Sequence, residues 1–122
     1  MSTFSKDHLD TPVTGIDQLV AFLAAGAKPR ERWAVGVEFE KLVVDRASGE
    51  AADYPRIALL LERLAAAGPW ERILEDGRII ALKGPSSSVT LEPGGQLELS
   101  GRLCADLFCS QGDFVGHARQ AT

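Results

Sequence analysis

Two stretches of this chain alternate apolar and polar residues with a period of two, and in both the polar positions carry glutamate. In Gly36-Val37-Glu38-Phe39-Glu40-Lys41, Val37 and Phe39 point one way and Glu38 and Glu40 the other. In Leu91-Glu92-Pro93-Gly94-Gly95-Gln96-Leu97-Glu98-Leu99-Ser100, Leu97 and Leu99 likewise oppose Gln96 and Glu98. A period of two describes strands, so the acids of each stretch share one face of a sheet. Carboxylates at adjacent sheet positions repel one another unless something cationic lies between them. A hard divalent cation such as Mg²⁺, which takes oxygen ligands, answers that requirement. Glu38, Glu40, Glu92 and Glu98 are therefore the candidate metal ligands.

The chain's 122 residues suffice for one ordinary domain. With 45% hydrophobic and 25% charged residues it has the material for a packed core, unlike a disordered tail. A net charge of -4 lacks the basic excess expected of a nucleic-acid-binding domain. No apolar run approaches the roughly 20 residues of a membrane span. Met1 to Asp10 has neither the apolar core of a secretory signal nor the Arg-rich bias of a transit peptide. Cys104 and Cys109 are too few for a disulfide framework and lack the Cys-x-x-Cys spacing of a redox or zinc site. The expected compartment is the cytoplasm.

Residues 1–13 are polar and expected to be loose. Thr14 and Asp17 have the spacing of a capping box, with aspartate in place of glutamate. Ile16, Leu19, Val20 and Leu23 then recur at helical spacing up to a stop at Gly26. Lys28 to Arg32 form a basic connector, and Trp33 to Asp45 read as one long strand. A second helix is predicted from Asp53, with Pro55 in its first turn and Ile57, Leu60, Leu61 and Leu64 as its buried stripe, ending at Gly68-Pro69. Asp76-Gly77 predicts a hairpin between Trp70–Glu75 and Arg78–Leu82. Gly84-Pro85-Ser86 predicts another turn, leading into Ser88–Glu92. Pro93-Gly94-Gly95 predicts a bulge or sharp bend, because proline cannot donate a ladder bond. The fold class expected is α+β: a mostly antiparallel sheet with two helices on one face.

Residues 15 to 101 also resemble the N-terminal part of a glutamate–cysteine ligase of the plant and proteobacterial type. The resemblance is carried by Asp17-Gln18-Leu19-Val20-Ala21-Phe22-Leu23, by Lys28-Pro29-Arg30-Glu31-Arg32-Trp33, and by Val35-Gly36-Val37-Glu38-Phe39-Glu40-Lys41. Trp70-Glu71 and Ile79-Ile80-Ala81-Leu82-Lys83 continue it, and Val89 to Gly101 is its most specific block. The resemblance implies a glutamine-synthetase-like carboxylate–amine ligase fold. It implies an enzyme that binds ATP and Mg²⁺, phosphorylates the side-chain carboxylate of L-glutamate, and lets the amine of L-cysteine displace phosphate. The product would be γ-glutamylcysteine, the precursor of glutathione. Carried over position by position, the metal ligands would be Glu38, Glu40, Glu92 and Glu98. Phosphoryl transfer needs the charge on the triphosphate to be neutralised and the attacking carboxylate held in line, which agrees with that assignment.

Each feature has a plainer reading. An isolated Glu-x-Glu is usually a solvated sheet face, and only the second pair of acids, lying inside the block that carries the resemblance, turns it toward metal binding. Gly94 and Gly95 alone would be a turn; within the family block they are secondary candidates for close backbone approach by substrate. Gly84-Pro85-Ser86-Ser87-Ser88 lacks P-loop spacing and reads as a turn, with Lys83 a secondary substrate-binding candidate. Lys41 is expected to pair with an acid, and His8 and His117 stand outside any constellation. After Gly101 the family pattern stops. Residues 102–122 show no sustained helical period and contain two glycines, so they are expected to pack poorly, as a frameshifted or truncated reading frame would. The 122-residue chain is then expected to be inactive by itself. Two other readings stay open: a sister ligase joining glutamate to a different amine, and a non-catalytic fragment that binds metal or a partner.

Overall fold

The structure is a computed structural model that describes residues 12–121. It divides into two units, split between Trp33 and Ala34. Most of the N-terminal stretch expected to be loose, and His8 with it, lies outside the described residues.

In the first unit, helix α1 (Ile16–Ala25) stops at Gly26 as its sequence predicts, and a single 3-10 turn follows at Arg30–Arg32. The expected Thr14–Asp17 capping box does not form. Gly15 is the N-cap, so the third helical position is Gln18 rather than Asp17. The Gln18 side chain reaches back to accept from the Thr14 amide (2.8 Å) and the Thr14 hydroxyl (3.2 Å). No residue of α1 is buried, and its apolar stripe of Ile16, Leu19, Val20 and Leu23 is exposed.

The second unit is the α+β layer structure. Strands β1 (Glu38–Leu42), β2 (Glu71–Glu75), β3 (Arg78–Lys83), β4 (Ser88–Leu91) and β5 (Gln96–Ser100) form one antiparallel sheet in the order β1-β5-β4-β3-β2. After β1 the chain crosses through helix α2 (Tyr54–Ala67) to the opposite edge and meanders back, so that β1 lies beside β5. The long strand expected from Trp33 to Asp45 is limited to five ladder residues because β5 offers only five partners. Beyond them, Val35 bridges to Cys104 and Val44 to Ala51.

Helix α2 begins as predicted. The Asp53 side chain accepts from the Arg56 amide and Pro55 occupies the first turn, where its missing N–H is harmless. Ile57, Leu61, Leu64 and Ala65 of α2 pack on Ile79, Leu82, Val89, Leu97 and Leu99 of the sheet. Leu61, Leu82 and Val89 are completely buried. The hairpin at Asp76-Gly77 has positive φ at both residues (49° and 75°), the combination a type I′ turn demands and Gly77 meets without strain. The bend at Pro93-Gly94-Gly95 is a full chain reversal. The Gly95 amide donates to the Glu92 carbonyl (2.8 Å), and Gly95 takes φ 85° before Gln96 re-enters the ladder opposite Glu92.

The tail departs from expectation. Leu107–Ala121 form a third helix, α3, of 15 residues that runs through Gly112 and Gly116. Asp106 caps its start by accepting from the Cys109 amide (2.9 Å). Cys104 and Cys109, which the sequence reading left without a role as a pair, are joined by a disulfide with Cα atoms 5.7 Å apart. Closing so short a loop removes about 2 kcal/mol of unfolded-state entropy in the chain-entropy picture. The helix has no hydrophobic period because its buried residues are Ser110 and His117, while Leu107 and Phe108 are exposed. Asp113 of α3 pairs with Arg102 (3.0 Å), and Phe114 stacks at a tilt on Phe39 of β1 (4.7 Å between centroids). The two helices of the sheet's unit are therefore α2 and α3, both on the face that carries Phe39, Val89 and Leu99.

Candidate functional site

The opposite face of the sheet carries the acids. Strand alternation and the register place two rows of side chains across it. One row runs Glu71, Lys83, Ser88, Ser100, Glu38, and the next Ile73, Ala81, Thr90, Glu98, Glu40. Glu40 and Glu98 are direct partners on β1 and β5, so their Cβ atoms lie roughly 5 Å apart. Glu38 stands opposite Ser100, whose hydroxyl donates to Glu98 Oε1 (2.8 Å). Glu92 extends β4 by one residue: its amide donates to the Gln96 carbonyl (2.9 Å), so it keeps the alternation and faces the same way. All four acids thus lie on one face, and the fold brings the two stretches together as neighbouring strands. Lys83 joins Glu38 in one row, whereas Gly94 and Gly95 are accounted for by the turn they make.

Burial is unequal. Glu38 and Glu40 are exposed, but Glu98 is only 6% exposed and Thr90 beside it 4%. Three buried side-chain oxygens here, Thr90 Oγ1, Glu92 Oε1 and Gln96 Oε1, have no hydrogen-bond partner in the protein. Ser100 and Thr90 escaped the sequence reading; their positions opposite glutamates on the paired strands are the signal that identifies them. Lys41 points to the other face and donates from Nζ to the Phe39 carbonyl (2.8 Å). Burial pushes its pKa down, and the charge of Glu98 partly offsets the fall. A cleft of about 370 Å³ opens at the Glu38 end, lined by Gly36, Val37, Glu38, Ser100 and Gly101.

Among the described residues, no three His, Cys, Asp or Glu side chains converge closely enough to hold a metal ion by themselves. The donor set nevertheless fits Mg²⁺. It is all oxygen, it includes orphaned buried oxygens, and Mg²⁺ commonly binds through only one or two carboxylates with phosphate and water completing the octahedron. With no cation bound, the Glu40–Glu98 opposition should cost stability. Glu40→Gln is expected to stabilise the 122-residue chain by about 0.2–1 kcal/mol in urea unfolding without divalent ions. A loss of stability instead would show that the two charges are not in conflict.

No protein-family model matches the chain. Curated relatives do. It is 43% identical over 90 residues to a chloroplastic glutamate–cysteine ligase of Brassica juncea and 44% identical over 90 residues to that of Nicotiana tabacum. It is 42% identical over 94 residues to glutamate–cysteine ligase A, chloroplastic, of Oryza sativa subsp. japonica. The chain is homologous to a fragment of glutamate–cysteine ligase. The matches cover 74–77% of this chain but only 17–19% of those ligases. The chain therefore spans less than a fifth of the length of the curated relatives it matches. No described helix is long and apolar enough to cross a membrane.

Proposed function

We propose that this chain supplies the acid-bearing sheet of an ATP- and Mg²⁺-dependent glutamate–cysteine ligase, which joins L-glutamate to L-cysteine through a γ-glutamyl phosphate. The observation that carries the reading is the pairing of β1 with β5, which sets Glu40 opposite Glu98 on a face that also holds Glu38, Glu92 and Lys83. Glu98 and Glu40 would hold the cation, with Glu38 and Glu92 flanking them. When bound, Mg²⁺ would neutralise charge on the triphosphate and orient the transferred phosphoryl group. Ser100 holds Glu98 in one orientation by its hydrogen bond, so the carboxylate is aimed before substrate arrives. Lys83 can place a positive charge over the same face, suited to a phosphate oxygen. Strands hold such groups with less freedom than loops would.

The test is a chimera in which residues 15–101 replace the matching segment of the Nicotiana tabacum ligase. Formation of γ-glutamylcysteine from glutamate, cysteine and ATP is expected in the chimera and not in the 122-residue chain alone, which presents one wall of the site. A folded chimera without ATP-dependent ligation would overturn the reading, and turnover with other amines but not cysteine would reassign the acceptor.

A further inference from the structure

A second cleft, of about 210 Å³, lies on the other face of the sheet, where α3 packs. Trp70 and Ser87 line it from the sheet side, and Asp113 and His117 from α3. His117 is 4% exposed, and its Nε2 has no hydrogen-bond partner in the protein. A buried polar atom in that state destabilises the fold unless something bonds to it. Gly112 and Gly116 also line this cleft. A Cβ built on either would meet nothing within 4 Å, so packing does not demand glycine there. Glycine inside a helix is nonetheless destabilising relative to alanine. Folding therefore explains neither the two glycines nor the unpartnered imidazole; access to the cleft explains both.

The walls define what could enter. Asp113 is already bonded to Arg102 through both oxygens, to Nε (3.0 Å) and to the backbone amide (3.3 Å), so it does not call for a cation. It would still repel an anion, and the charge of Lys41 near His117 would repel a cation. Burial together with Lys41 pushes the His117 pKa down to about 4, which leaves a neutral imidazole with one N–H and one lone pair. A hydroxyl or amide can serve either nitrogen. Trp70 offers an aromatic wall. At about 210 Å³ and open to solvent on one side, this cleft has room for one ring and a small substituent.

We propose that this cleft is a binding site for a small neutral single-ring aromatic molecule bearing a hydroxyl or amide, lodged against Trp70 and hydrogen-bonded to His117. The site does not depend on the ligase reading, since it uses the opposite face of the sheet. Phenol, toluene, benzoate and benzylamine titrated into the isotopically labelled 122-residue chain test it by NMR. Phenol should shift the His117 ring and Trp70 indole signals saturably, and bind at least tenfold more tightly than the other three. His117→Phe should abolish the preference for phenol over toluene. Gly116→Leu, which suits a helix and fills the cleft, should block both, and it decides the matter if His117→Phe fails to fold. Absence of a saturable shift with phenol, equal binding of a charged ring, or unchanged binding in Gly116→Leu would overturn the proposal.

Discussion

Glu98→Gln in a full-length glutamate–cysteine ligase carrying this segment is expected to lower kcat by roughly a hundredfold or more, the usual cost of removing one electrostatic partner of a transition state. Glutamine keeps the shape of the side chain and can still accept from the Ser100 hydroxyl, so the local hydrogen bond survives. What is lost is the charge that a hard cation requires, on the buried member of the Glu40–Glu98 pair. The loss should fall on turnover rather than folding, and raising Mg²⁺ should restore part of it. Steady-state kinetics at several Mg²⁺ concentrations, with urea unfolding of the same variant, separate the two effects. Unchanged turnover would sink the assignment of Glu98 as a ligand. A Glu38→Gln variant should behave similarly but more mildly, because Glu38 is exposed and stands opposite a serine.

The second large effect is a pH dependence of stability that belongs to His117. Its pKa falls from 6.5 to about 4 on folding, chiefly because the ring is buried and secondarily because of Lys41. Between those values the unfolded chain holds a proton on this ring and the folded chain does not. The unfolded state thus binds more protons, and stability declines as pH is lowered through that window. The full contribution is present above about pH 6.5 and is lost by about pH 4, a total of ~3 kcal/mol. Carboxylates titrate over part of the same range, so the measurement is a difference: urea unfolding of the wild-type chain and of His117→Phe at several pH values. The wild type should lose about 2 kcal/mol more than the variant between about pH 7.5 and 5. Parallel profiles would mean that His117 titrates alike in both states.

Much of the fold was legible because its signals are local. The Ile57, Leu61 and Leu64 stripe, the Asp53 cap and the Asp76-Gly77 turn each depend on residues within a few positions of one another, and each is where the sequence placed it. The stop of α1 at Gly26 belongs with them. The misreadings share a cause of the opposite kind. Residues 107–121 form a helix whose buried residues, Ser110 and His117, are polar, so a search for apolar period passes over it. The disulfide tethers α3 near its start, and its Cys104 is held by reciprocal backbone bonds to Val35, about seventy positions away in the chain. Long-range support of that sort leaves no periodic trace. His117 looked inert because its neighbours in space, Trp70, Ser87 and Lys41, are distant in sequence.

For the acid face the division is clear. The amino-acid sequence alone determined that Glu38 shares a side with Glu40, because alternation along a strand follows from the covalent geometry of the backbone; Glu92 reaches the side of Glu98 through the register of β4 on β5 across the turn between them. Whether those two pairs would meet was not decided by the sequence. Only the tertiary structure put β1 beside β5, set Glu40 against Glu98, and brought Lys83 and Ser100 into the row of Glu38. That outcome required the α2 crossover and the four-strand meander to close together. The driving force is burial of the opposite face, where Phe39, Val89 and Leu99 pack with α2. Side chains that point away from the core follow the register the core selects, so the acids met because the leucines had to.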